Sequence, residues 1–190
     1  MCSSDLATLP ITSTGERFLL FKADNYNYQG ETDENNNVYS RAINIVAPDL
    51  IVSSASAPSS AALNESISLS WTVSNQGNGT AAADWYDRVV ISTDQIFGNS
   101  DDTYLTEVWQ GSYTPLASGG GYTRTVNATL PITSTGERFL LFKADNYNYQ
   151  GETDENNNVY SLPINISASD LRVTSTSAPS RSEEHTSELQ

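Results

Sequence analysis

Short stretches in which apolar and polar residues alternate recur along the chain and predict β-strands. In residues 66–74, Ile67, Leu69, Trp71 and Val73 alternate with serine and threonine, and a period of two is typical of a strand with one buried face. Similar or denser apolar stretches, bounded by Gly, Pro and Asn, predict six further strands at residues 50–56, 85–92, 104–113, 122–130, 139–144 and 159–166. No window carries a convincing helical stripe.

Seven short strands separated by turns predict an all-β fold, namely an immunoglobulin-like antiparallel β-sandwich. The neighbours of Trp71 at two-residue spacing are aliphatic. We therefore expect Trp71 to anchor the core between the two sheets rather than to stack on a sugar.

The chain contains one long internal duplication. Residues 7–40 and 128–161 are identical, 121 positions apart, and similarity continues with drift beyond them. The period is too long for a solenoid unit and suits one sandwich domain. We therefore expect tandem repeats: the C-terminal part of one repeat at 7–47, a complete repeat at 48–168 and the start of a third at 169–180.

Both ends of the chain have an unusual origin. Residues 2–6 (Cys-Ser-Ser-Asp-Leu) and 181–185 (Arg-Ser-Glu-Glu-His) back-translate to opposite strands of one DNA sequence that resembles a sequencing-library adapter. We therefore expect 1–6 and 181–190 to be adapter-derived and set them apart from the fold. The one Cys and the one His lie in these ends, so the rest of the chain has no disulfide, no Cys/His zinc site and no histidine base.

The charge of the chain limits the classes of partner that it can bind. The formal net charge is −14, which repels a phosphate backbone and attracts cations, so no nucleic-acid partner is expected. No apolar stretch approaches the roughly 18 residues that a membrane-spanning helix needs.

Two acidic, Asn-rich loops are the candidate metal sites. Carboxylate and amide oxygens are the ligands that Ca²⁺ prefers, although neither loop has EF-hand spacing. The alternative is that Asp, Asn and Gly only make turns and keep the surface soluble. The candidate ligands are Asp94, Asn99, Asp101 and Asp102 in the first loop, and Asp145, Glu152, Asp154 and Glu155 in the second.

Three aromatic residues, Trp109, Tyr147 and Tyr149, offer a second kind of site. Exposed rings stack on sugars, and the alternative is ordinary packing at a sheet edge or between repeats.

We predict no enzymatic activity and no required cofactor. A Ser-His-Asp triad would lack its histidine, and paired carboxylates, which occur in any acidic chain, are weak evidence for a glycoside hydrolase.

The motifs at residues 48–50 (Pro-Asp-Leu), 71–77 (Trp-Thr-Val-Ser-Asn-Gln-Gly), 87–94, 143–145 (Lys-Ala-Asp) and 152–157 together resemble the CARDB domain, a cell-adhesion-related domain found in bacteria. The resemblance covers the central unit and the matching parts of its neighbours. It implies a non-catalytic extracellular spacer or adhesion repeat of a large surface or secreted protein, with neighbouring repeats as partners. The alternatives are a module that binds a cell-surface glycan or protein, and an accessory domain of a secreted peptidase or glycoside hydrolase.

Overall fold

Ten β-strands form in the part of the chain that the computed structural model describes, residues 14–131 and 135–178. Both adapter-like ends lie outside this part. A strand forms at each of the seven predicted places, although the one predicted at 104–113 ends at Trp109 because a turn follows it. A hairpin precedes these strands, and one short strand was not predicted by the sequence. The strands are β1 (Gly15–Lys22), β2 (Val38–Ile45), β3 (Leu50–Ser56), β4 (Ser60–Ala62), β5 (Ser66–Asn75), β6 (Tyr86–Ser92), β7 (Thr103–Trp109), β8 (Gly121–Thr129), β9 (Gly136–Lys143) and β10 (Val159–Ser167).

Strands β3 to β10 form two facing sheets, so the predicted sandwich is confirmed. One sheet has the order β4-β10-β9-β6-β7 and the other has the order β3-β5-β8. All neighbours are antiparallel except β4 and β10, which are parallel. The sequence did not predict this pair, because the three residues of β4 are too few to display alternation.

The core lies between the sheets and is built from the inward positions of the alternating strands. Trp71 is 1% exposed and packs on Phe142 with ring centroids 5.9 Å apart, as expected of a core anchor. Aromatic side chains contribute large buried areas, and Trp71, Trp85 and Phe142 are the largest fully buried residues of the described part.

The duplicated sequence forms the same hairpin twice, in two environments. The β1–β2 register runs from Gly15↔Ile45 to Lys22↔Val38, and the β9–β10 register has the corresponding pairs. Phe142 is fully buried, whereas its counterpart Phe21 is 56% exposed. The difference arises because β9 also pairs with β6 and faces the second sheet, whereas β1 pairs only with β2 among the described strands.

Residues 168–178 contain no strand. The repeat boundaries at 7–47, 48–168 and 169–180 stay predictions. No helix within residues 14–131 and 135–178 is long and apolar enough to cross a membrane.

Candidate functional site

The second acidic loop connects β9 to β10 and begins with a turn centred on Asp145. This residue has a positive φ of 41°, a conformation that Asp tolerates better than most residues. Its carboxylate accepts hydrogen bonds from the backbone N–H groups of Tyr149 (3.0 Å) and Gln150 (2.7 Å). Burial raises the pKa of Asp145, and these two N–H groups oppose the increase. The main role of Asp145 is therefore to fix the conformation of the loop.

Glu152 points into the protein and joins the loop to the start of β3. Its carboxylate accepts hydrogen bonds from the backbone N–H of Leu50 and from Nδ2 of Asn158 at 2.9 Å. Burial is the main cause that raises the pKa of Glu152 to about 8, and the charge of Glu155 adds to the increase. An acidic side chain is thus held where water cannot stabilise its charge.

The next two candidate ligands, Asp154 and Glu155, differ in their surroundings. Asp154 is exposed and accepts hydrogen bonds from the backbone N–H and side-chain amide of Asn156 at 2.9 and 3.1 Å. Glu155 accepts one hydrogen bond from the N–H of Glu152 at 3.2 Å through Oε1. Its Oε2 is buried and has no hydrogen-bond partner.

Three residues outside the predicted set complete this part of the molecule. Asn157 Nδ2 donates to Asp49 Oδ1 at 2.9 Å, and Asn158 is fully buried. The Oδ1 atoms of both asparagines are buried without hydrogen-bond partners. We call Asp49, Glu152, Glu155, Asn157 and Asn158 the junction cluster. The run of three asparagines at 156–158 marks this place in the sequence, but nothing in the sequence shows which amides turn inward.

The first acidic loop, between β6 and β7, satisfies most of its own carboxylates. Asp101 accepts hydrogen bonds from Ser92 Oγ and the N–H of Thr93, both at 2.9 Å, and also from Thr93 Oγ1. Hydrogen bonds from Thr93 and Ser92 lower the pKa of Asp101 to about 2. This arrangement is typical of a turn that folds around its acidic side chains.

The other three candidates of this loop have similar partners. Asp94 accepts from the N–H of Ile96 at 2.7 Å and from Asn99 Nδ2 at 3.1 Å. Asp102 Oδ2 accepts from the N–H of Gly98 at 2.6 Å, while its Oδ1 is buried without a partner.

The two loops leave the five-stranded sheet at opposite ends. Ser92, the last residue of β6, pairs with Phe139 near the start of β9, whereas the second loop follows the end of β9. Among the residues that the structure describes, no three acidic, histidine or cysteine side chains converge to hold a metal by themselves. Any metal site in this part of the molecule therefore needs amide or backbone oxygens as well as carboxylates.

A second buried acidic group, Asp87, lies in the core of the sandwich. It is 1% exposed. Burial raises the pKa of Asp87 to about 6, although hydrogen bonds from the core oppose the increase. Its carboxylate accepts four hydrogen bonds, from Trp71 Nε1 (2.8 Å), Trp85 Nε1 (3.1 Å), Gln110 Nε2 (3.0 Å) and Tyr122 OH (2.7 Å). Because Asp87 lies in the five-stranded sheet and Trp71 and Tyr122 lie in the three-stranded sheet, Asp87 ties the sheets together.

An aromatic surface covers the outer side of β6 and β7. Tyr147 stacks on Tyr149 with centroids 5.5 Å apart, and the guanidinium of Arg88 lies over the rings of Tyr147 and Tyr104. Tyr104, Tyr147 and Tyr149 are all about half exposed or more. Two of the three predicted aromatic residues therefore belong to one surface.

The third, Trp109, lies elsewhere. It is half exposed, at the end of β7, and its ring lies directly over the backbone of Gly111. It makes no ring contact with the tyrosines among the described aromatic pairs.

A polar cleft of about 270 Å³ lies where the first hairpin meets the sandwich, lined by residues that include Ile45, Ala47, Asp49, Gln76 and Thr153. The backbone of the segment before β3 is tightly packed at this junction. A Cβ atom added at Gly77 would lie 2.5 Å from the carbonyl carbon of Pro48. The glycine therefore allows the segment before β3 to pack directly against the turn after β5.

The model of the CARDB family matches residues 47–162. No curated protein matches the chain. Among solved structures, a CARDB domain from Pyrococcus furiosus in complex with di-metal ions is 22% identical, with a TM-score of 0.47, and the match covers 65% of this chain and 96% of that one.

Two β-glucosidases are also similar over part of their length. The enzyme from Listeria innocua in complex with glucose is 14% identical with a TM-score of 0.39, and the match covers 66% of this chain and 17% of the enzyme. β-Glucosidase 3B from Thermotoga neapolitana is 7% identical with a TM-score of 0.38, over 66% of this chain and 17% of that one. Because the family model spans more than half of the residues, the chain belongs to the CARDB family.

Proposed function

We propose that residues 48–168 form a non-catalytic spacer repeat that carries tension along an extracellular protein of the bacterial surface. CARDB domains are found in cell-surface proteins, and the family is adhesion-related and non-catalytic. A spacer of this kind connects binding and anchoring parts of a larger chain. Its task is to stay folded when those parts are pulled apart.

The parallel pair β4–β10 is the observation that supports this proposal. The pair is bracketed by hydrogen bonds from Asn165 N to Ser59 O at 3.0 Å and from Leu63 N to Ser167 O at 2.9 Å. The chain enters the sandwich through β3, just before β4, and leaves it after β10. Pulling at both ends therefore shears β3 along β5 and drags β4 and β10 along each other in opposite directions. Such shear loads all hydrogen bonds of the pair together.

The hairpin β1–β2 provides a contrast within the same chain. Its open end pairs Gly15 with Ile45, so a force applied there separates one hydrogen-bonded pair after another. An isolated two-stranded hairpin is also only marginally stable in water. The hairpin therefore offers little resistance to the force that the sandwich is built to bear.

Stretching the whole chain between its ends in a force spectrometer tests the proposal. We expect the hairpin to open at low force. At a severalfold higher force, one cooperative event should release the chain from Leu50 to Ser167, roughly 400 Å when extended. A sandwich that unravels at the force of the hairpin, or in several small steps, would contradict a load-bearing role.

The aromatic surface favours a second candidate function, the binding of a cell-surface glycan. Arg88 Nη2 donates to Tyr147 OH at 2.8 Å and is paired with Glu107 at 2.6 Å, so the exposed ring of Tyr147 is held in a fixed orientation. Fixed, exposed rings flanked by hydrogen-bonding groups are suited to stacking on sugars. A glycan array probed with the whole chain and with Tyr104→Ala tests this. Glycan binding that is lost in Tyr104→Ala supports a glycan-binding module. If the unmodified chain binds no glycan, the spacer role is the one proposed function that stands.

A further inference from the structure

The junction cluster holds a concentration of polar atoms that lack partners. Glu155 Oε2, Asn157 Oδ1 and Asn158 Oδ1 are buried with no hydrogen bond, and they lie within four consecutive residues. Buried polar groups are nearly always satisfied, and each one that is not costs free energy. All three are oxygen atoms that can accept but not donate, so the missing partner is a donor or a cation.

The orientation of Asn158 is set by its neighbour. In the structure the donor of the amide, Nδ2, faces Glu152 Oε1 at 2.9 Å, which is the arrangement that an ionised Glu152 carboxylate requires because it can only accept. With Glu152 ionised, as it would be beside a bound cation, turning the amide over would place two oxygens against each other. Asn158 is fully buried, and in this orientation its Oδ1 has no hydrogen-bond partner.

Among residues 14–131 and 135–178, no basic side chain forms an ion pair with the cluster. Lys143 is the basic residue nearest to Glu152 along the chain, and its Nζ contacts the carbonyl oxygen of Asn146 at 3.4 Å and Oδ1 of Asn148 at 3.5 Å. These contacts hold it at the beginning of the loop. Glu152, Glu155 and Asp49 are thus three acidic groups at the junction, and none of them forms an ion pair with a described basic side chain.

The first copy of the sequence shows that the arrangement depends on the assembled sandwich. There Asn37, the counterpart of Asn158, donates from Nδ2 to Glu34 Oε2 at 3.4 Å. Glu34 is the counterpart of Glu155, so this oxygen has a hydrogen-bond partner in the first copy and none in the second. In the second copy, Glu152 accepts a hydrogen bond from the N–H of Leu50, and Asn158 donates to Glu152 instead of to Glu155. Identical residues therefore form the oxygen cluster only in the sandwich.

We propose that the junction cluster binds one Ca²⁺ ion. Carboxylates from Glu152 and Glu155 and amide oxygens from Asn157 and Asn158 are hard ligands of the kind that Ca²⁺ takes six to eight of, with water completing the shell. The ion supplies the positive partner that the bare oxygens lack. It ties the loop between β9 and β10 to the start of β3, where the preceding segment joins the sandwich. The site does not depend on the spacer role proposed above.

Calorimetric titration of the whole chain with CaCl₂, together with thermal unfolding, tests the proposal. We expect one ion per chain with a dissociation constant of about 10⁻⁴–10⁻³ M, the range of extracellular modules. The melting temperature should rise with CaCl₂ and not with NaCl of equal ionic strength. Glu155→Gln keeps the oxygen that accepts from Glu152 N–H and should weaken binding at least about tenfold, while in EDTA it melts no lower than the unmodified chain.

Two matched variants control for general effects of charge. Glu34→Gln makes the same substitution in the same local sequence of the first copy, and Asp154→Asn removes a charge from an exposed part of the second loop. Both should bind Ca²⁺ as the unmodified chain does. The proposal is overturned if millimolar Ca²⁺ gives neither heat nor a melting shift, if NaCl gives an equal shift, or if binding survives Glu155→Gln or is lost equally in Glu34→Gln.

Discussion

Replacing Asp87 with alanine should destabilise the sandwich by about 4 kcal/mol, because buried donors lose their acceptor. Trp71 Nε1 and the hydroxyl of Tyr122 donate to its carboxylate at 2.8 and 2.7 Å, and both side chains are buried. Water cannot reach these donors without opening the core. Urea unfolding followed by tryptophan fluorescence measures the loss.

Asp170→Ala is the matched control, because this aspartate is exposed and lies outside every strand. It should change the free energy of unfolding by less than about 0.5 kcal/mol. If Asp87→Ala lay within about 1 kcal/mol of the unmodified chain, the carboxylate would not hold the two sheets together.

The same carboxyl group should make stability depend on pH. Its pKa is about 6 in the folded protein against 3.8 for the ordinary group, so the folded state binds the proton more tightly. The contribution is fully present below about pH 4 and is lost as the pH rises through 6, by at most about 3 kcal/mol. In Asp87→Asn, the dependence of stability on pH between 4 and 6 should be weaker by this amount.

Gly77→Ala should cost about 2–3 kcal/mol, as expected when an atom is forced into a packed site. The added Cβ would meet Pro48 C at 2.5 Å and Ala47 O and Asp49 N at 2.6 Å. All three are backbone atoms, which cannot rotate aside as a side chain can. The midpoint of urea unfolding should therefore fall.

Gly30→Ala is the control for the glycine substitution. Nothing lies within 4 Å of a Cβ at Gly30, so this variant should unfold at nearly the same urea concentration as the unmodified chain. Equal stability of both variants would mean that the segment before β3 does not pack against the turn as described.

Alternation was sufficient to predict the sandwich from the sequence, because its strands bury one face and expose the other. Trp71 at the centre of a strictly alternating strand was correctly placed in the core. The same alternation also places Asp87 on the inward face of its strand. Trp85, Asp87, Val89 and Ile91 alternate in one strand, so the acidic residue had to point inward with the others.

Other features depend on contacts that local sequence does not encode. Phe21 and Phe142 have identical neighbours along the chain but different burial, because only β9 has β6 beside it. The bare oxygen of Asn158 likewise results from the pairing of Glu152 with Leu50, more than a hundred positions earlier. The eight residues predicted as metal ligands included Glu152 and Glu155 but not the asparagines that accompany them.

In the proposed spacer, β4 and β10 bear load because they are pulled in shear. The rupture force of the sandwich should be measured in two pulling geometries. In the first, the chain is held at Cys2 and at its C-terminal end. In the second, Cys2 is replaced by serine and the N-terminal attachment point is moved to Ser100→Cys. Ser92, before this loop, pairs with Phe139, and Ile166 pairs with Gly136. The loop therefore leaves the sheet at the end where β10 finishes, and the new geometry peels β10 away. We predict a severalfold lower force in this geometry; equal forces in both directions would contradict the claim.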